Sequence, residues 1–387
     1  MRLNKGLGYY TVDGIEFDSK IKACIYATQN KKQVEWHFND DIFGAYDWTV
    51  EPTESLTELY HRRARELREQ YDYVSISYSG GSDSHNVLMS FIDQGLHVDE
   101  ILVNTFEKAN TMAVNDPNIT ASWNFGAEYK LQILPRLEEI RHRIPNTKIT
   151  VRDMSDTVID YFKNSEEGWS LEQNEVLNPS GITRYNYLNF VDTRVNFDKD
   201  KKFCIVVGVE KPLTVILDNK FYVIFIDRHT NITSVKQHFT GQENTNIEFF
   251  YWGPSCADMV AKQAHVIKKY ITLDPKLIEL WTFKDSRSFT INNNKIINPL
   301  LRTVIYEGIW NTSWFQVEKG IQFYHDEIDT WWRSLYKGTI EYSKWEAGIK
   351  LVQEQASSFV DAKGEMLLFR KSYYVGEMPH AGNGFRV

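Results

Sequence analysis

Cysteine is scarce: the 387 residues hold three, at positions 24, 204 and 256, separated by gaps of 180 and 52. There is no Cys-x-x-Cys and no Cys/His cluster at zinc spacing, so a structural metal site is not expected and a reducing compartment is. Long apolar runs are missing too. The longest, such as Phe221 to Ile226, fall far short of the roughly 20 residues that cross a bilayer. The start, Met-Arg-Leu-Asn-Lys-Gly, carries no h-region. A cytoplasmic protein without a membrane partner is therefore expected. Nor is there an excess of positive charge: 44 Lys and Arg against 52 Asp and Glu leave a net charge of -8. Long nucleic acid held by bulk electrostatics is thus an unfavoured partner, although a local basic cleft stays open. Internal repeats and low-complexity linkers are absent. With 42% apolar and 25% charged residues the chain has globular composition, and about 150 residues per domain gives two or three domains.

What is present is a periodicity that changes along the chain. Asp13-Gly14 and Asn30-Lys31-Lys32 each stand between short β-prone runs, Tyr9 to Phe17 and Ala23 to Phe38, which predicts two hairpins. Ser55-x-x-Glu58 is a capping box ahead of Leu56, Leu59, Leu67 and Tyr71, which predicts a helix over 56–71. Tyr73 to Tyr78 then reads as a strand. Val87, Leu88, Phe91 and Ile92 mark a helix that Gly95 can close, and Ile101 to Val103 a second strand. This is a βαβ unit, and it implies a parallel sheet. Further strands are expected at 149–151 and 203–207, with a hairpin folded at Asp218-Asn219.

Beyond residue 235 the pattern is helical. Ser255-x-x-Asp258 and Asp274-Pro275 look like helix starts. Stripes from Trp314 to Leu335 and from Tyr342 to Phe359 suggest a helical hairpin, with its tryptophans in the core. The expected class is α/β: a β-rich segment over 1–50, an α/β domain over 51–235 and a helical region over 236–387.

The informative stretch is Ser79-Gly80-Gly81-Ser82-Asp83-Ser84, where the strand passes into the helix. Two glycines allow a tight turn with several N–H groups facing one point, and the helix adds its positive end. Serine hydroxyls can add donors to phosphate. Asp83 belongs in such a pocket only with a divalent cation between it and the phosphates, and magnesium (Mg2+) is the natural choice.

Tyr78 to Ser84 after a strand resembles the Ser-Gly-Gly-x-Asp-Ser signature of the PP-loop ATP pyrophosphatases. That superfamily includes the synthetase domain of asparagine synthetase, guanylate synthetase, tRNA-thiolating enzymes and phosphoadenylylsulfate reductases. The resemblance spans about 73–105. The entry through Trp48, Glu51 and Pro52 is similar to virus-encoded members. The resemblance implies a parallel-sheet, HUP-like domain that binds ATP and Mg2+ and cleaves between the α and β phosphates. It implies that Ser79, Gly80, Gly81, Ser82, Asp83 and Ser84 hold the pyrophosphate and that Val103, Asn104 and Thr105 grip adenine. No Gly-x-x-x-x-Gly-Lys-Ser/Thr occurs, which speaks against γ-phosphate transfer by an ordinary P-loop.

Some amide-forming relatives place a Gly-containing acidic segment where Gly208-Val209-Glu210-Lys211-Pro212 stands here. By that likeness Glu210 joins Asp83 as a metal ligand, and Lys211 joins Asp83 as a catalytic residue. The family's Gly-x-Gly-x-Asp form is absent, so a solvated Glu-Lys pair is the equal alternative. Lys262, His265 and Lys269 share one helix face and can meet phosphate or an acidic substrate, against the ordinary reading of a solvated face. Arg184 and Arg194 bracket an aromatic stretch suited to clamp a carboxylate or stack a base, and His85 can donate to phosphate.

The expected reaction is adenylation of a carboxylate or carbonyl oxygen on a small-molecule or nucleotide acceptor, then amidation or amination. Met1-Arg2 supplies no cysteine nucleophile, so ammonia or an amine arrives free or from another protein. The alternatives are a sulfur-transfer or phosphoadenylylsulfate reductase-like enzyme, which the unpaired cysteines disfavour, and an ATP-binding switch without turnover, which Asp83 disfavours.

Overall fold

The computed structural model describes residues 8–114, 129–164, 200–208, 213–227, 245–282, 300–306, 334–361 and 366–379. The chain opens with β1 (Tyr9–Val12) and β2 (Ile15–Phe17), joined through Asp13 at φ 53 and Gly14 at φ 81. Two left-handed residues are what a type I′ hairpin turn requires, so the first expected hairpin is present. The second is not. Ala23 to Tyr26 lie inside α1 (Lys20–Asn30), which Ser19 caps and Lys31 ends in the left-handed conformation. Ile21 with Cys24, and Ala23 with Ala27, give three- and four-residue spacings on one buried face, and that face outweighs the β-prone residues. β3 (Glu35–His37) follows and pairs with β1 in a small antiparallel sheet.

After a short α2 (Asp40–Phe43) comes α3 (Leu56–Gln70), with both halves of the Ser55/Glu58 capping box formed. Then β4 (Tyr73–Ser77), α4 (Ser82–Ile92) and β5 (Glu100–Thr105) make the expected βαβ unit. α5 (Glu107–Val114), a π-helical turn Tyr129–Ile133, α6 (Leu134–Arg143), β6 (Lys148–Asp153) and α7 (Ser155–Asn164) continue the pattern. β7 (Phe203–Val207) precedes the hairpin of β8 (Leu213–Leu217) and β9 (Lys220–Ile226), turned at Asp218 and Asn219 with φ 49 and 59. β10 (Thr245–Phe249), α8 (Ala257–Ile271), α9 (Pro275–Trp281), α10 (Ile340–Gln355) and β11 (Arg370–Glu377) complete the elements that bear on the site.

The central sheet has five strands, all parallel, in the order β10-β7-β4-β5-β6. Every residue of β7 is buried, as are the middle residues of β4, as in a sheet covered on both faces. The chain starts in the middle at β4, winds outward through β5 and β6, then returns to the other side of β4 for β7 and β10. This reversal falls between the carboxyl ends of β4 and β7, the kind of position where open α/β sheets bind ligands.

Two further expectations change. Ser255 does not cap a helix: it sits in the 3-10 turn Pro254–Cys256, where its hydroxyl accepts from Arg63 and donates to Glu66, each at 3.2 Å. The region after 235 is not all helix, because β11 pairs antiparallel with β9 from Arg370↔Ile226 to Glu377↔Lys220. Only Val375 of that strand is buried, so its sequence lacks the alternation that announces a strand.

The boundaries expected near 50 and 235 do not separate cores. One apolar cluster joins Tyr10, Phe43 and Trp48 to Ile76, Ile205, Phe225, Val260, Trp281, Tyr306 and Val375. α10 forms as expected and buries Trp345, Ile349 and Val352 in a second cluster with Ile21 and Cys24 of α1. The stripe beginning at Trp314, and the hairpin it was expected to form, lie outside the described residues.

Candidate functional site

The loop after β4 is shaped by backbone contacts. Tyr78 N–H still donates to Leu102 C=O at 2.8 Å; then Gly80 turns the chain at φ 68 and Gly81 begins α4. A Cβ on Gly80 would lie 2.8 Å from Ile133 Cγ1 and 3.3 Å from the Ile133 backbone. On the β7 side, a Cβ on Gly208 would lie 3.0 Å from Ser84 Cα and 3.1 Å from Asp83 C. The chain leaving β7 is thus pressed onto the first turn of α4, and the absence of a side chain at 208 is what lets the two strand ends meet.

Inside the loop, Ser84 Oγ accepts from Ser79 N–H and donates to Gly81 C=O, both at 3.2 Å. Ser79 Oγ accepts from Gly81 N–H at 3.4 Å. These two hydroxyls hold the turn's shape. Ser82 differs: it is 2% exposed, and its buried Oγ has no hydrogen-bond partner among the described residues. His85 N–H is bonded to Gly81 C=O, whereas the three amides before it, in the first turn of α4, have no carbonyl of their own helix to meet.

Asp83 is half-buried and held from two sides. Its Oδ1 accepts from the Tyr306 hydroxyl, and its main-chain carbonyl accepts from the Tyr251 hydroxyl at 3.0 Å. Asn86 Nδ2 donates to Tyr251 at 2.8 Å. Tyr60 completes a trio of rings with centroids 6.0 to 6.2 Å apart. Burial, and then the charge of Asp83, raise the Tyr306 phenol well above its ordinary pKa, so it stays a donor. Sequence reasoning missed both tyrosines; they stand 168 and 223 positions from Asp83, and no local pattern marks them.

Around this loop the expected residues fare differently. β5 outruns β4: Leu102 is the last residue paired with β4, while Val103, Asn104 and Thr105 pair only with β6. Leu102 C=O faces β4 and Thr105 C=O faces the other side, toward Met154 N–H. Strand alternation therefore turns the N–H and C=O of Asn104 toward the space β4 has left. Asn104 Oδ1 is buried without a partner among the described residues, while the Thr105 hydroxyl donates to Arg152 C=O at 3.2 Å.

His85, expected to donate to phosphate, is buried. Its Nδ1 lies 3.0 Å from the Tyr78 hydroxyl, and burial, then Arg136 and Arg143, push its pKa down to about 3, so any such donation would come from a neutral imidazole. Arg136, which the sequence did not single out, stands one turn beyond Ile133 and is 6% exposed. Burial lowers the pKa of its guanidinium, and Arg302, one turn before Tyr306, lowers it further. Two cationic side chains therefore come near each other beside the loop.

Lys262 and His265 are corrected as well. Lys262 Nζ bonds Glu51 Oε1 and Pro52 C=O at 2.9 Å each, and His265 Nε2 lies 3.1 Å from Trp48 C=O. Burial works to raise the Glu51 carboxyl, but Lys269 and Lys262 overcome it and hold the group below its ordinary range. The Trp48 to Pro52 segment thus covers Lys262 and His265, while Lys269 stays 70% exposed and pairs with Glu51. Arg184, Arg194, Glu210 and Lys211 lie outside the described residues.

Among the described residues no group of three or more His, Cys, Asp or Glu is placed to hold a metal. Magnesium usually takes one or two protein carboxylates and completes its shell with phosphate and water oxygens, so Asp83 alone fits that demand. Compared with known proteins, the chain matches no family model and no curated sequence. No described helix is long and apolar enough to cross a membrane.

Proposed function

We propose that the switch point at the carboxyl ends of β4 and β7 binds ATP, with its outer phosphates over the loop from Ser79 to Ser84, in the manner of a PP-loop ATP pyrophosphatase. The chain would then adenylate an acceptor oxygen with release of pyrophosphate, and AMP would leave in the amidation or amination that follows. The observation that carries this reading is the loop's position: a glycine turn leading into a helix N-terminus at the switch point of a parallel sheet, with Gly208 closing it from the neighbouring strand.

The chemistry follows from the residues. A carboxylate or carbonyl oxygen of the acceptor attacks the α-phosphorus, the bond to the bridging oxygen breaks, and pyrophosphate leaves. The amides of the first turn and the helix dipole meet its growing charge, and the Ser82 hydroxyl donates to one of its oxygens. Asp83, with phosphate oxygens, would hold magnesium, which supplies neutralising charge to the leaving group. The outward N–H and C=O of Asn104 match the donor and acceptor on an adenine edge. Ammonia or an amine then bonds to the activated carbon, loses a proton and displaces AMP.

Nitrogen rather than sulfur is supported by the thiols. Cys24, Cys204 and Cys256 are all buried. Burial pushes Cys24 up to about 12, Cys204 well above the ordinary thiol value and Cys256 upward, so none is poised as a thiolate. The test is incubation of the full chain with α-labelled ATP, Mg2+, ammonia and a pool of carboxylate and carbonyl metabolites. AMP and pyrophosphate should appear when an acceptor is present and vanish in Asp83→Ala. ADP with phosphate would remove the reading, and tight ATP binding without product would favour the switch.

A further inference from the structure

Asp83 is an acid in the first turn of a helix, where an aspartate usually bonds back to local amides or faces water. Here its Oδ1 is met by a hydroxyl brought from 223 positions away, on the helical stretch 300–305 and the residue that follows it. A hydrogen bond to a carboxylate is short, directional and charge-assisted, so it fixes the plane of the group it meets. Tyr306 is 1% exposed and its ring lies against those of Tyr60 and Tyr251, which fixes the direction of its hydroxyl. Tyr60 in turn donates to Ile305 C=O at 2.9 Å and accepts from Gln263 at 2.9 Å, which anchors the stretch next to Tyr306. Tyr251 holds the Asp83 carbonyl, so main chain and side chain are both restrained. A carboxylate has about four lone-pair sites, so an oxygen that accepts one hydrogen bond can still take part in cation binding.

We infer that Tyr306 is a positioning residue: it orients the Asp83 carboxylate toward a divalent cation carried on the phosphates, and Tyr251 secures the main chain beneath. This rests on the ATP-binding reading above. It makes the region after residue 300 part of the site and places the cation's protein ligand under the control of a distant segment.

The experiment is calorimetric titration of the full chain with ATP and with inorganic pyrophosphate, across a Mg2+ series and in EDTA, for wild type, Tyr306→Phe and Tyr60→Phe. Both variants keep the ring, and melting temperatures confirm folding. In Tyr306→Phe the Mg2+ concentration for half-maximal binding should rise about tenfold or more, the worth of one charge-assisted hydrogen bond. Its affinity in EDTA should stay within about twofold of wild type. Tyr60→Phe loosens the anchor beside Tyr306 but keeps the Tyr306–Asp83 bond, so its Mg2+ midpoint should move clearly less than that of Tyr306→Phe. An unmoved Mg2+ midpoint in Tyr306→Phe, an equal loss with and without Mg2+, or the same shift in Tyr60→Phe would overturn the inference while leaving ATP binding intact. Failure of the wild type to bind either ligand would overturn the proposed function and the inference together.

Discussion

Lys20 Nζ lies 2.7 Å from Asp227 Oδ2, with the two side chains 1% and 0% exposed. Tyr10 donates to the same Asp227 oxygen at 3.0 Å, and Phe369 N–H donates to the other at 3.1 Å. The pair thus ties the start of α1 to the end of β9 and to the approach of β11. Removing one partner leaves a buried charge with nothing to neutralise it, so Lys20→Met should cost about 3–5 kcal/mol. Lys20→Met with Asp227→Asn, which removes the charge but keeps an acceptor for Tyr10 or Phe369, should recover most of that. Urea unfolding of the three proteins checks it, and a double variant as unstable as the single one would refute the pairing argument.

The glycines of the site should separate by what their missing side chains allow. Gly80→Ala imposes a left-handed alanine, about 1–2 kcal/mol, and a collision with Ile133, so it should lower both stability and ATP affinity. Gly208→Ala meets main-chain atoms of Asp83 and Ser84, which cannot swing aside, and should weaken ATP at least about tenfold at a stability cost of about 1–3 kcal/mol. Gly95→Ala has the same positive φ as Gly80 but open space around it, and should leave ATP binding alone.

His85 sets an acid sensitivity. Its folded pKa, about 3, lies below the ordinary value of 6.5, so the unfolded chain takes up a proton that the folded chain refuses. The contribution is complete above about pH 6.5 and falls away as pH drops toward 3, with a slope approaching about 1.4 kcal/mol per pH unit. His85→Gln should flatten the loss of stability between neutral pH and the mid-acid range. Urea midpoints at several pH values in that window measure it; parallel curves for the two proteins would count against a buried neutral ring.

The thiols should be silent in the native protein. A disulfide reagent at mildly alkaline pH should label none of the three cysteines until denaturant is added, because all are buried with raised pKa values. Replacing each by alanine should leave AMP formation within about twofold. Loss of the reaction in any one variant that still folds would move sulfur chemistry, the alternative reading, ahead of amidation.

Much of this architecture was legible before any coordinates. The βαβ unit and its loop could be read because strand, turn and helix each carry their signal within a few residues, from Tyr73 to Val103. Tight I′ turns at Asp13-Gly14 and Asp218-Asn219 were equally local. What stayed hidden was long-range. Tyr251 and Tyr306 look like core aromatics in sequence, and only the sheet's reversal brings them to Asp83. Lys262 and His265 looked like a free charged face because periodicity reports which side of a helix is polar, not what later covers it. α1 was misread since its small buried alanines carry little hydrophobic signal.

The pairing of β11 with β9 has a consequence for biosynthesis. Phe369 and Asp227 are bonded though 142 positions apart, so an emerging polypeptide presents β9 long before its partner exists. During that interval one margin of the Leu213–Leu217 and Lys220–Ile226 ribbon is bare, rich in Val, Ile and Phe, and open to strands of neighbouring nascent chains. Yield of intact protein should therefore depend on how fast the ribosome reaches residue 377, or on a chaperone that shields that margin until it does.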